Sequence, residues 1–98
     1  MENTFGQTIR KLREENNLLL RELSAILEID SSILSKIENN NRFAKKELVE
    51  KFAKIFKVEH KELLIIWFSD KIVNELKGED NIDKILRIAK QKIKNGKG

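Results

Sequence analysis

Five side chains with hydrogen-bonding ends fall within the short stretch Ser31, Ser32, Ser35, Lys36 and Asn39. At the helical repeat of about 3.6 residues they share one side of a helix, and Leu34 and Ile37 hold the other. Hydroxyls, an ammonium and an amide of this size reach base edges and phosphates when such a helix enters the major groove. Other chemistries lack their parts. The pair Glu14-Glu15 has no nucleophile and no pocket signature beside it, so it reads as a helix end on a charged face. His60 is the single histidine, and the chain has no cysteine. A lone histidine with no second ligand at metal spacing reads as a surface residue. No phosphate loop and no metal motif occurs. The residue set therefore points away from an enzyme, and no metal, cofactor or small-molecule ligand is expected.

The elements that must position these groups are all helical by pattern, because apolar residues recur at three and four rather than at two. A first helix, about 4–15, buries Phe5, Ile9 and Leu12. Thr4 and Gln7 have the spacing of a capping box, in which hydroxyl and amide satisfy two exposed N–H groups. Asn16 and Asn17 end that helix. The second helix, about 20–27, faces inward with Leu20, Leu23 and Leu27. A short turn, Glu28-Ile29-Asp30, leads into the third helix, about 31–39, which Asp30 or Ser31 can cap. Asn39, Asn40 and Asn41 end it, since asparagine tolerates the left-handed exit. The fourth helix, about 45–56, buries Leu48, Phe52, Ile55 and Phe56. A fifth runs from about Glu59 to Lys77 and stops at Gly78. Asp80 or Asn81 caps a sixth, about 82–94, striped by Ile82, Ile85, Leu86, Ala89 and Ile93. The fold class is all-α: a five-helix unit with a C-terminal helical extension, divided at 1–64 and 65–98.

Residues 20–39 have the layout of a helix-turn-helix. Ser24 is small where two short helices cross closely, Ile29 plugs the turn, and Leu34 and Ile37 hold the third helix down. The wider pattern comprises Phe5-Gly6-Gln7-Thr8-Ile9-Arg10-Lys11-Leu12-Arg13, Leu23-Ser24, Ile29-Asp30-Ser31-Ser32 and Leu34-Ser35-Lys36-Ile37-Glu38. It closes with Leu48 through Val58. Over about residues 5–64 the chain resembles the phage-repressor-like, xenobiotic-response-element (XRE) class of helix-turn-helix regulators. The resemblance implies base contacts from Ser31, Ser32, Ser35, Lys36 and Asn39, and phosphate contacts from Asn41 and Arg42. It also implies an ion pair between Glu38 and Arg10. Three segments depart from the family pattern. Leu19-Leu20 stands where a Ser/Thr-Gln start is usual, Glu28 where glycine is usual, and Asn40 with Phe43-Ala44 where glycine and proline follow the third helix.

The fifth helix is apolar nearly all round from Leu63 to Phe68, so a second covering surface is required. A homodimer interface is expected from Ile66, Trp67, Val73, Leu76, Ile85 and Ala89, the alternative being that the sixth helix folds back and buries them within one chain. A two-fold dimer would read two half-sites about one helical turn apart. The reading is thus a sequence-specific regulator of transcription, a repressor on a partly palindromic operator, with double-stranded DNA as partner. The rival is an interaction module, such as an antitoxin, whose apolar hairpin binds another protein.

Composition is compatible with this and does not compel it. The 98 residues suit one compact domain with a small appendage; 40% are hydrophobic and 37% charged, with a net charge of +4. Residues 1–64 hold 12 Lys and Arg against 11 Asp and Glu, whereas residues 65–98 hold 8 against 5. The excess therefore sits in the tail, at Lys84, Arg87, Lys90, Lys92, Lys94 and Lys97, rather than on the candidate reader. That tail reads as a solvated face, with non-specific attraction to DNA or an acidic partner as the alternative. No basic-then-apolar leader opens the chain. The longest apolar run, Leu63 to Phe68, is far short of the roughly 20 residues a bilayer span needs. No membrane association and a cytoplasmic location are the expectation.

Overall fold

The computed structural model describes residues 3–96; Lys97 of the basic tail lies outside them. The described residues form α1 (Phe5–Glu15), α2 (Leu20–Leu27), α3 (Ser31–Glu38), α4 (Lys46–Phe56), α5 (His60–Glu75) and α6 (Ile82–Lys94), with no strand. Their limits follow the punctuation of the sequence. At α1 the capping box forms: the Gln7 N–H donates to Thr4 Oγ1 at 3.1 Å, and the Thr4 N–H donates to Gln7 Oε1 at 3.0 Å. At α2 only the reciprocal half is possible, because leucine has no acceptor. There Glu22 Oε1 accepts from the Leu19 N–H at 2.7 Å. Asp30 occupies the N-cap of α3 and Asn81 that of α6, but neither side chain makes a capping hydrogen bond.

The exits use left-handed backbone. Asn17 and Asn40 have φ of 58° and 64°, and Gly78 has 79°. Glu28 and Lys57 take the same conformation at φ 60° and 55°. A side chain larger than asparagine is strained there by roughly 1–2 kcal/mol.

Leu23 and Leu27 of α2, Leu34 and Ile37 of α3 and Phe5 and Ile9 of α1 meet Phe52 and Phe56 of α4 in one core. Phe52 is its centre, edge-on to Phe5 and stacked on Phe56. The buried stripe of α4 is Val49, Phe52, Ala53 and Phe56, with Leu48 and Ile55 only half-buried at its margins. The inward face is thus rotated by one residue from the expected one.

Trp67 requires a larger correction. It was expected at a dimer interface, yet it is 5% exposed and lies in the core. It sits four residues after the buried Leu63, one helical turn on the same face. Its indole Nε1–H donates to the Ala44 carbonyl at 2.9 Å. A buried indole needs such a partner, and the loop before α4 supplies it.

Beyond Trp67 no described residue is buried. α6 has no buried residue, and Ile82, Ile85, Leu86, Ile88 and Ile93 are exposed. It does not fold back to cover α5, where Ile72 and Val73 are also exposed. The radius of gyration is 15.4 Å, against about 13 Å for a compact chain of this length. The difference fits α6 standing clear of the five-helix core rather than packing on it. No helix among the described residues is long and apolar enough to cross a membrane.

Candidate nucleic-acid interface

α3 is held by its inner face and presents its outer one. Leu34, Ile37 and Glu38 are buried, while Ser32, Lys36 and Asn39 are exposed and Ser31 and Ser35 partly so. The outer set is the one read from the sequence, and Asn39 Nδ2 lies 3.5 Å from Ser35 Oγ on that surface. Ser31 has a second engagement. Its Oγ is 2.8 Å from Oγ of the buried Ser24, which in turn donates to the Arg21 carbonyl at 3.0 Å. These contacts tie the start of α3 to α2 where the two helices cross, and they account for a small polar residue at position 24.

The far end of α3 is fixed by charge, and here the structure corrects the expected pairing. Arg10 does not reach Glu38. It lies beside Glu14 at 3.4 Å, with both side chains more than half exposed. Arg13 makes the pair instead: its Nε donates to Glu38 Oε2 at 2.7 Å and its Nη2 to Oε1 at 3.0 Å. Its Nη1 also donates to the Leu18 carbonyl at 2.9 Å. The physical reason is rotation about α1. Arg13 is one turn beyond Ile9 on the buried stripe, whereas Arg10 is displaced about 100° around the axis. Hydrogen bonding to the Glu38 carboxylate raises the Arg13 pKa above its ordinary value despite desolvation, so the guanidinium stays charged. A two-pronged pair of this kind fixes orientation as well as position.

Gly6 was part of the family pattern but had no assigned task. A Cβ there would collide with the Ile37 carbonyl oxygen and stand 2.9 Å from that of Glu38. The start of α1 thus crosses the end of α3 at a separation that only glycine permits. The same end of α1 is anchored by Asp70, which was not singled out in the sequence: its Oδ2 accepts from the Phe5 N–H at 2.7 Å. An acid 65 residues away carries no local signal of that role.

Asn41 and Arg42 are exposed in the loop between α3 and α4. The loop is anchored by Ala44, buried under Trp67, and by Phe43, whose ring lies 5.4 Å from Lys71 Nζ. Lys71 also sits 4.6 Å from the Trp67 ring within α5. The cation–π contact with Phe43 therefore links α5 to the loop that carries Arg42. Of the other residues expected at an interface between copies, Val73 is 66% exposed, Ile85 and Ala89 are exposed, and Ile66 and Leu76 are half-buried, with Ile66 packed on the core. No group of three or more metal-ligating side chains occurs among the described residues.

This arrangement is that of a helix-turn-helix, and the family comparison agrees. The model of the helix-turn-helix domain family matches residues 6–65, and the chain belongs to that family, in its XRE type. The chain is similar to the uncharacterized HTH-type transcriptional regulator RghRB of Bacillus subtilis (strain 168). The two are 36% identical over 61 residues, which cover 61% of this chain and 44% of the relative. The shared stretch thus spans less than half of the relative's length. No solved structure matches the chain.

Proposed function

We propose that this protein is a DNA-binding transcriptional regulator of the cytoplasm, a repressor that acts as a homodimer on a partly palindromic operator. One observation carries the reading: α3 buries Leu34, Ile37 and Glu38 and leaves Ser32, Ser35, Lys36 and Asn39 facing out. A helix clamped in this way can enter the major groove with those side chains against base edges, Ser31 at its start, and Asn41 and Arg42 on phosphates. Residues 1–64 are the DNA-binding unit, and 65–98 extend it for dimerisation. Repression follows from occupancy, since a dimer seated on an operator obstructs polymerase.

The dimer is supported by the state of α6. A helix of thirteen residues is marginal in water without tertiary packing, and here its apolar stripe touches no core. A second copy would cover it and set two α3 helices about 34 Å apart.

The test is a fluorescence titration against the DNA upstream of the protein's own gene. Binding that is tighter there than to unrelated duplex supports the reading. Ser35→Ala should alter the sequence preference, whereas Arg42→Ala should weaken all duplexes similarly and flatten the salt dependence. A folded protein that binds no duplex at low salt would overturn the proposal. The uncovered apolar residues of α6 and the end of α5 favour a second reading, in which they bind another protein. That reading is preferred if the folded chain ignores DNA and stays monomeric.

A further inference from the structure

The end of α5 shares a cleft with the loop after α3. Asn74 and Lys77 line the same cleft as Asn41 and Arg42, and Phe5, Ile37 and Val73 contribute apolar surface to it. Its volume is about 390 Å³, within the ~300–1,000 Å³ that small ligand groups occupy. The charge balance favours an anion. Arg42 and Lys77 are exposed, and neither pairs with a carboxylate among the described residues. Asp70 is the one acid of the lining. Its carboxylate accepts the Phe5 N–H at the start of α1, where the positive end of the helix dipole offsets its charge. Apolar surface combined with cations and amides matches one chemical unit in particular, the deoxyribose and phosphate of a DNA strand.

We infer that this cleft takes a sugar–phosphate unit of the DNA backbone, with Lys77 and Asn74 gripping the phosphate alongside Arg42 and Asn41. The inference rests on the DNA-binding reading above and deepens it. Lys77 and Asn74 lie past residue 65, where the family match ends. The extension therefore adds a phosphate contact of its own to those of the helix-turn-helix. Such a contact carries no sequence information but raises affinity on every duplex and fixes how the domain sits.

The experiment compares wild type, Lys77→Ala and Lys61→Ala in anisotropy titrations of an upstream duplex and an unrelated one over a series of salt concentrations. Lys61 is a control for net charge, since it lies in the first turn of α5, about 21 Å from the last residue Glu75, whereas Lys77 follows the C-terminal end of that helix. Lys77→Ala should weaken both duplexes about tenfold at low salt. It should also reduce the slope of log affinity against log salt by about one. Lys61→Ala should leave the slope unchanged. Thermal melts and solution masses of both variants should match wild type, because Lys77 is exposed. An unchanged slope in Lys77→Ala, or a change equal to that of Lys61→Ala, overturns the inference while leaving the regulator reading intact. A fall in solution mass with unchanged slope also overturns it, and assigns the cleft to contacts between copies. If wild type itself binds neither duplex at low salt, both readings fall.

Discussion

Glu38 is the residue on which the orientation of α3 depends. Its carboxylate is buried, and the Arg13 guanidinium meets it with two donors. Removing the guanidinium strands a buried charge, so Arg13→Ala should cost about 3–5 kcal/mol. Arg10→Ala, which removes only an exposed pair, should stay within about 0.5 kcal/mol of wild type. Urea unfolding followed by circular dichroism separates the two. Arg13→Lys should recover little, because an ammonium cannot reproduce the two-pronged geometry. Equal losses at positions 10 and 13 would contradict the observed pairing. The sequence contains both arginines three residues apart on one helix, and the glutamate alone does not choose between them. The choice was nonetheless readable from periodicity: Phe5, Ile9 and Arg13 recur every four residues along one face.

At the scale of the elements, helix limits were the most readable feature, because they depend on local chemistry. Thr4 with Gln7 starts α1, and Asn17, Asn40 and Gly78 take the left-handed backbone at exits. Faces were less readable where apolar residues crowd together. From Leu63 to Phe68 every position is apolar, so no periodicity distinguishes Trp67 in the core from Phe68 on the surface. The burial of Trp67 depends on the Ala44 carbonyl, 23 residues earlier in the chain. The turn between α2 and α3 lies between these extremes. The family pattern asks for glycine at position 28, and the Glu28 backbone has the φ of 60° that explains the request. Glu28→Gly should therefore stabilise the protein by about 1 kcal/mol, the relief of left-handed strain exceeding the added freedom of the unfolded chain. The midpoint of thermal unfolding should rise by about 4–8 °C. An unchanged or lower midpoint would show that the turn relieves its strain elsewhere.

At the scale of the whole molecule, the five-helix unit is closed and the extension beyond it is open. Ile72, Val73, Ile85 and Ile93 are exposed, and no surface among the described residues covers them. Within a homodimer they would be the seam, so Ile85→Asp should halve the mass measured by light scattering and leave the unfolding of the core unchanged. Its affinity for a single half-site should match wild type, while affinity for the full palindrome should drop. A wild type that is monomeric at micromolar concentration would remove the dimer, and with it the two-fold reading of DNA. Charge and apolar pattern marked this region as an extension in the sequence. They could not say what covers it, because a single chain records only its own half of an interface.

The hydroxyls at the crossing of α2 and α3 have a directional consequence. Ser24 has one proton, and the Arg21 carbonyl receives it. Where Ser24 keeps that donation, the contact between Ser24 and Ser31 uses the proton of Ser31. What remains on Ser31 is lone pairs alone. A base that meets this oxygen can do so only by donating, through the exocyclic amine of adenine or cytosine; the carbonyl of guanine or thymine would find no proton there. If Ser31 meets a base, a half-buried contact behind the helix would thus restrict which letters its outer surface accepts.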